Sequence, residues 1–179
     1  MLKSLRGFYF LRALFAFVWV ALVFAFAPGN PNLGFVLLVL YPAWDGVANL
    51  LDAMRTGRGA SSGQRANAAV SFLVACAIGA AGIGGSIAAA VGVFGFWAFS
   101  AGALQLAVGV GRRKAGGQVF MMISGLQSAL AGGFFIFQAL TQPPVSIVRL
   151  APYAAFGGFY FLLSAIWLTV KPAKADIAA

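Results

Sequence analysis

Long runs of hydrophobic residues, separated by short polar connections, form the main pattern of the chain. A helix needs about 20 apolar residues to cross the hydrocarbon core of a bilayer. Six stretches meet this requirement: Phe8–Ala27, Gly34–Met54, Asn67–Gly82, Ser86–Val110, Gln118–Leu140 and Val148–Val170. Their apolar residues are continuous rather than alternating, which favours helices over strands. The pattern predicts an all-α polytopic membrane protein with six transmembrane helices.

The connections between these stretches alternate between uncharged and basic. The uncharged connections are 27–32, 82–85 and 141–144. The basic connections, 55–65 and 112–114, alternate with them, and both chain ends are also basic. Eleven of the twelve Lys and Arg residues therefore fall on one side, and Arg149 is the exception. Because Lys and Arg are retained on the cytoplasmic side, we expect both termini in the cytoplasm.

The first span also has features of a secretory signal peptide. Lys3, Arg6 and Arg12 form a basic region, and Ala25-Phe26-Ala27 resembles a cleavage site. The apolar stretch is long for a signal-peptide core. We therefore interpret it as an uncleaved first helix.

Composition supports a membrane environment. Hydrophobic residues make up 62% of the chain and charged residues only 8%, against roughly 25% charged residues in a typical soluble domain. There is too little polar material to cover the surface of a soluble fold. No polar linker divides the chain, so we expect one transmembrane domain over residues 1–179.

The net charge of +9 raises the question of nucleic-acid binding. The basic residues sit in short clusters between apolar runs, as membrane orientation requires. They form no stripe with interleaved aromatic residues. We expect no nucleic acid as a partner, and we expect the basic clusters to contact anionic lipid headgroups.

The inventory of reactive side chains is short. The chain has no His and no Glu, which removes most metal ligands, axial ligands for haem and histidine-based catalysis. Cys76 is the single cysteine and lies in an apolar run, where it is interpreted as an inert core residue. The sequence therefore predicts a non-enzymatic protein with no metal and no cofactor.

Three polar side chains share one face of the second span. Asp45, Asn49 and Asp52 are spaced four and three residues apart, which places them on the same side of a helix. Asp52 lies near the cytoplasmic end, where Arg55, Arg12 or water would pair with it. Asp45 lies nearer the middle of the membrane, where a charge is costly and has to be paired, hydrated or protonated.

Two interpretations of Asp45 stay open. A carboxylate within the membrane is by default a functional residue, and with Asn49, Asp52 and Gln105 it forms a candidate polar site. Alternatively, Asp45 is a paired group that fixes the register of the helices. The partners considered for this second interpretation are Gln105, Gln127, Ser124 and Ser128.

The second, fourth and sixth spans share a local pattern. Asp45-Gly46 is followed by Asn49, Ala101-Gly102 by Gln105, and Gly157-Gly158 by Phe161. A glycine and the residue three positions later lie on one helix face. The pattern predicts three repeated helical hairpins, roughly residues 8–58, 65–114 and 118–174, around a pseudo-symmetric axis.

Small residues recur at every fourth position on several spans. The stripes include Ser124, Ser128 and Gly132, Gly125, Ala129 and Gly133, and Asn67, Ser71, Ala75 and Gly79. Such stripes let helix backbones approach closely in lipid. They predict either packing within the chain or an interface between copies.

Several tyrosine residues lie near span ends. Tyr9, Tyr41 and Tyr153 are examples. Tyrosine is enriched at the membrane–water interface. We therefore expect these side chains to anchor the helices at the interface.

Motifs in the fourth and fifth spans resemble a known family. They are Gly102-Ala103-Leu104-Gln105-Leu106, Arg112-Arg113, Ser124-Gly125-Leu126-Gln127-Ser128, Gly132-Gly133 and Pro143, with Trp44-Asp45-Gly46 as an earlier copy. These segments resemble the HdeD-like acid-resistance membrane proteins, which are six-span proteins of the bacterial inner membrane. The resemblance implies a role in stress or acid tolerance at that membrane. It supplies no catalytic residues.

The favoured function is therefore a non-enzymatic HdeD-like membrane protein that supports envelope homeostasis. One alternative is a small solute or proton channel or transporter that uses the polar face of the second span. Another is an accessory subunit of a larger membrane complex, or a homo-oligomer. Any proton response would depend on Asp45 or Asp52, since the chain has no Glu and no His.

Overall fold

The computed structural model describes residues 5–56, 62–111, 119–142 and 146–170. They form six helices: α1 (Leu5–Phe26), α2 (Pro31–Thr56), α3 (Ser62–Ile83), α4 (Ile87–Gly111), α5 (Val119–Thr141) and α6 (Ala151–Val170). These residues contain no strand. Each of the six helices is long and apolar enough to cross a membrane. The all-helical, six-span prediction is confirmed at this level.

Several basic residues that predict the orientation lie outside the described residues. They are Lys3, Arg58, Arg112, Arg113, Lys114, Lys171 and Lys174, and Pro143 lies outside as well. Arg6 and Arg65 are exposed near the first turns of α1 and α3. Because α1 and α3 run in the same direction through the bundle, these two residues lie at the same end.

Polar side chains cap the starts of the helices. The Oδ1 of Asn30 accepts a hydrogen bond from the N–H of Leu33 at 3.1 Å at the start of α2, and Ser86 caps α4 in a similar way. α3 begins at Ser62, five residues before the predicted Asn67. Hydropathy detects only the apolar part of a helix, and a polar first turn outside the hydrocarbon escapes it.

The last predicted span, Val148–Val170, divides into two pieces. A short 3-10 helix, Ile147–Leu150, comes first, and the Oγ of Ser146 accepts a hydrogen bond from the N–H of Val148 at 3.3 Å. α6 follows with Pro152 in its first turn. A proline there costs no helical hydrogen bond, because the first N–H groups of a helix have no partner within it.

The helices pack most extensively in the pairs α4–α5, α2–α3 and α1–α6, followed by α3–α4. The pairs α1–α2 and α5–α6 are consecutive in the chain and touch much less. The predicted hairpins are therefore not the most closely packed pairs. The contact between the first and last helices closes the bundle.

Glycine residues allow the close approach of α4 and α5. A Cβ on Gly102 would lie 2.5 Å from the backbone nitrogen of Ala129 and 2.6 Å from the carbonyl oxygen of Gly125. In contrast, a Cβ on Gly133 or on Gly79 would meet nothing within 4 Å. Of the small-residue stripes, Gly125 therefore serves packing within the chain against Gly102, whereas Gly133 and Gly79 face open space.

Six aromatic residues fill the middle of the bundle: Trp19, Tyr41, Phe94, Trp97, Phe135 and Tyr153, here called the aromatic cluster. Ring centroids are 4.7 Å apart for Trp19 and Tyr41 and 5.1 Å apart for Phe94 and Trp97. The prediction that Tyr41 and Tyr153 anchor the membrane interface is wrong, because both rings pack in this cluster. Tyr41 lies ten residues into α2, or about 15 Å along the helix.

Candidate functional site

Asp45 is the central residue of the candidate site. It lies on α2, is 8% exposed, and its Oδ1 forms an ion pair with Nη2 of Arg12 on α1. The two side chains are only 11% and 14% exposed. An isolated charge is costly inside a membrane. Burial of either charge therefore depends on the other.

The second carboxylate oxygen of Asp45 accepts two further hydrogen bonds. Nδ2 of Asn49 donates to Oδ2 at 2.9 Å and also to the backbone carbonyl of Asp45 at 2.9 Å. Oγ of Ser71, on α3, donates to Oδ2 at 3.0 Å. The spacing of four residues between Asp45 and Asn49 brings both onto one turn of α2, as the sequence predicts.

Ser71 passes the network on to α4. Nε1 of Trp97 donates a hydrogen bond to Oγ of Ser71 at 2.9 Å. Ser71 is fully buried, so its hydroxyl needs both an acceptor and a donor inside the protein. The Asp45–Arg12 cluster, defined as Arg12, Asp45, Asn49, Ser71 and Trp97, thus joins α1, α2, α3 and α4.

The guanidinium of Arg12 is also packed against aromatic rings. Its Cζ lies 4.2 Å from the ring centroid of Phe161 on α6 and 5.8 Å from that of Phe8. A cation over an aromatic face is stabilised, more so when it is removed from water. The contact with Phe161 adds a fifth helix to those that the cluster holds together.

The structure brings together some of the predicted site residues. Asp45 and Asn49 are in the cluster, whereas Asp52 is half-buried about two turns further along α2. Trp97 is the residue of α4 that donates a hydrogen bond within the cluster. Gln105 is half-buried eight residues further along α4, which is about 12 Å.

The partners of Asp45 differ from those considered in the sequence. The side chain of Ser128 bonds instead to the carbonyl of Ala98 at 3.0 Å and to the hydroxyl of Tyr153 at 2.8 Å. Arg12, considered as a partner of Asp52 and as part of the terminal basic cluster, pairs with Asp45 inside the bundle. The register of α1 against α2 decides this pairing, and the sequence pattern does not contain it.

One signal in the sequence points toward Arg12. It lies within the apolar stretch Phe8–Ala27, deeper than Lys3 and Arg6, and a basic residue in such a stretch requires a partner. Ser71 and Trp97 give no comparable signal, since small and aromatic residues are frequent throughout the chain.

Two features bound the cluster. The aromatic cluster continues beyond Trp97, whose ring centroid lies 5.8 Å from that of Tyr41. A separate open groove of about 360 Å³ lies between α2 and α3, with an apolar lining that includes Val39, Gly79 and Gly82. No residue of the Asp45–Arg12 cluster lines this groove.

The chemistry of the arrangement is that of a neutralised, hydrogen-bonded ion pair. Both oxygens of Asp45 accept hydrogen bonds from protein donors. Over the part of the chain that the structure describes, no group of three His, Cys, Asp or Glu residues is placed to hold a metal ion. The arrangement therefore holds the carboxylate between fixed protein donors.

Neither a protein-family model, a curated protein nor a solved structure matches this chain. The HdeD-like resemblance consequently rests on the motifs quoted for it. The functional interpretation therefore depends on the geometry of the Asp45–Arg12 cluster.

Proposed function

We propose that the chain is a non-enzymatic, multi-pass membrane protein of the HdeD-like type that supports envelope homeostasis under acid or similar stress. The observation that carries the non-enzymatic part is the Asp45–Arg12 ion pair, in which the buried carboxylate is neutralised and hydrogen-bonded by protein groups. A catalytic carboxylate has to reach a substrate. Here Arg12, Asn49 and Ser71 occupy its oxygens.

The packing around the cluster favours this proposal over a channel or transporter. The polar face of α2 is directed at Arg12 and Ser71, and the aromatic cluster fills the interior beyond Trp97. A conducting path would require polar groups or a cavity at that level. The apolar groove between α2 and α3 supplies neither to Asp45.

We further propose that the protein lies in the bacterial cytoplasmic membrane with both termini in the cytoplasm. The bias of eleven basic residues toward one side supports this orientation. Arg6 and Arg65, exposed at that end of the bundle, would contact anionic lipid headgroups. Reporter fusions after α2 and after α3 test the orientation, since only the first should report from the cytoplasm.

The proposal includes three repeated hairpins arranged in a ring. Gly46, Gly102 and Gly158 lie 56 positions apart. A Cβ on each would come within 3.0 Å of the next helix around the ring: Phe72 on α3, Ala129 on α5 and Ala16 on α1, respectively. Three equivalent contacts at equal spacing support the repeat.

Core residues follow the same spacing. Leu38, Phe94 and Leu150 are each fully buried, and Tyr41, Trp97 and Tyr153 all belong to the aromatic cluster. The positions equivalent to Asp45 hold Ala101 and Gly157. The charged cluster would therefore occupy only one of three equivalent places in the ring.

Acid survival tests the proposed function. Deletion of the chain should reduce survival after acid exposure, and the wild-type chain should restore it. Asp45→Asn should not restore it, because the unpaired Arg12 disturbs the bundle. The control Arg149→Gln changes an exposed residue outside the cluster and should restore survival. Unchanged survival of the deletion strain would contradict the acid-tolerance role.

A further inference from the structure

Polar side chains line both sides of the interface between the C-terminal half of α2 and the N-terminal half of α3. On α2 they are Asp45, Asn49 and Asp52, and on α3 they are Gln64, Asn67 and Ser71. Their spacings of three and four residues place each set on one helix face. We refer to these six residues as the α2–α3 seam.

Three contacts establish how the two helices face each other. Ser71 bonds to Asp45 at 3.0 Å, and a Cβ on Gly46 would lie 3.0 Å from the ring of Phe72. A Cβ on Gly82 would lie 3.2 Å from the ring of Phe35. All three agree, to within two residues, with an antiparallel register in which each step forward on α2 meets an equal step backward on α3.

This register pairs the remaining seam residues. Continuing from the contact between Asp45 and Ser71, Asn49 lies opposite Asn67 and Asp52 lies opposite Gln64. The seam therefore has a pair of facing polar side chains at each helical turn, from the middle of α2 to its C-terminal end. The distance along α2 from Asp45 to Asp52 is about 10 Å.

The exposure of the seam changes along its length. Ser71 is fully buried, and Asp45 and Asn49 are each 8% exposed. Asp52, Gln64 and Asn67 are half-buried. The seam thus opens gradually toward the α2–α3 connection.

Two buried polar atoms, one in the ion pair and one in the seam, point to a further ligand. Oδ1 of Asn67 and Nε of Arg12 have no hydrogen-bond partner among the described residues. The oxygen of Asn67 is an acceptor and the nitrogen of Arg12 is a donor, and a water molecule can bond to both kinds of group. Buried polar atoms in proteins are bonded to protein groups or to ordered water.

The opposite end of the seam is closed. Trp97 donates to Ser71, and its ring packs against Tyr41 and Phe94. Beyond Gly46 the facing residues are apolar, as the contact between Gly82 and Phe35 illustrates. A polar ligand that enters the seam therefore stops at Asp45 and Ser71.

We propose that the α2–α3 seam is a blind water path that connects the Asp45–Arg12 ion pair with the aqueous phase at the α2–α3 connection. Water in the seam binds Asn67 and partly hydrates the ion pair. Water and protons reach Asp45 from this one side, and the aromatic cluster stops them from crossing. This proposal does not depend on the role in envelope homeostasis.

Silver-ion accessibility of introduced thiols tests the path. Silver ions bind thiolates and move through water but not through hydrocarbon. In a background with Cys76→Ala, Ser71→Cys places a thiol in the seam, and Leu73→Cys places one nearby on the exposed face of α3. Arg65→Cys marks the side of the α2–α3 connection. Silver is added to sealed vesicles of each orientation, and remaining thiols are counted with a maleimide after denaturation.

The seam thiol should be blocked at least about tenfold faster than the Leu73→Cys thiol, because only a hydrated thiol ionises readily. It should react from the same side as Arg65→Cys. Equal rates for the two thiols, or reaction from the opposite side, would overturn the proposal. If Ser71→Cys does not accumulate, Asn49→Cys and its exposed neighbour Leu50→Cys decide by the same criterion.

Discussion

The ion pair between Arg12 and Asp45 lies between the polar α2–α3 seam and the aromatic rings of the bundle interior. Asn49 and Ser71 donate hydrogen bonds to the carboxylate, and the ring of Phe161 packs against the guanidinium. Replacing a whole buried ion pair with apolar residues is often neutral or stabilising, whereas removing one partner leaves an uncompensated charge. We therefore predict that the two charges select one arrangement of helices more than they add stability.

Asp45→Asn should destabilise the protein by about 3–5 kcal/mol, since it leaves the buried Arg12 unpaired. Asparagine keeps the shape of aspartate, but its NH2 group replaces one of the two accepting oxygens. The variant therefore loses the charge and one hydrogen-bond acceptor together. Thermal unfolding in mild detergent measures the destabilisation. The expected result is a lower unfolding temperature than that of the wild type.

The control for this prediction removes both charges together. Arg12→Met combined with Asp45→Leu should recover most of the lost stability, because neither buried charge remains. Equal stability of Asp45→Asn and the wild type would show that the ion pair does not hold the helices together.

At the scale of the helix, the close approach of α4 and α5 depends on small residues. Lipid tails are as apolar as leucine, so close packing replaces the hydrophobic effect as the driving force between helices. α4 and α5 meet at Gly102 and Gly125, where the backbones themselves are in contact. Large apolar residues such as Leu130 and Leu73 are instead exposed on the outside of the bundle.

Gly102→Ala should destabilise the protein by about 1–3 kcal/mol, since its methyl group has to displace the backbone of α5. Its Cβ would lie 2.5 Å from the nitrogen of Ala129. The matched variant Gly133→Ala points into open space and should be neutral, or stabilising by up to about 1 kcal/mol from helix propensity. Detergent unfolding of both variants compares them, and a larger loss for Gly133→Ala would contradict the packing.

The sequence predicts the spans well but not every side-chain environment. Tyr41 was expected at the interface and lies in the aromatic cluster. The predicted span begins at Gly34, whereas α2 begins at Pro31 and runs through Pro42 without a break. Tyr41 therefore lies further from the start of the helix than the apolar run indicates. The spacing of Asp45 and Asn49 was predicted as a shared face, and this is where the structure places both.

At the scale of the whole molecule, the contact of α1 with α6 closes the bundle. If three hairpins form a ring, each even-numbered helix packs on the next odd-numbered helix around it. The natural termini then lie at a place equivalent to the α2–α3 and α4–α5 connections, and the chain could begin at any of the three. Among the described residues, the Asp45–Arg12 ion pair is found beside only the first of these interfaces.

A circular permutant tests the ring. The chain is opened in the connection between α4 and α5, and the original termini are joined by a flexible linker. We expect it to accumulate in the membrane and to unfold at nearly the wild-type temperature, since all helix contacts are retained. A permutant opened within α4 at Trp97 serves as the control and should not accumulate. Failure of both would count against the ring.

The number of helices, their lengths and their membrane character follow from the sequence alone. Each span has to satisfy its own backbone hydrogen bonds in lipid. The apolar run is therefore enough to predict where each membrane-spanning helix lies. The interior contacts do not follow from such runs. Arg12 and Asp45 are 33 positions apart, and Ser71 and Trp97 are 26 apart. Such pairs meet only when the register between helices is set, and packing of the complete bundle sets it.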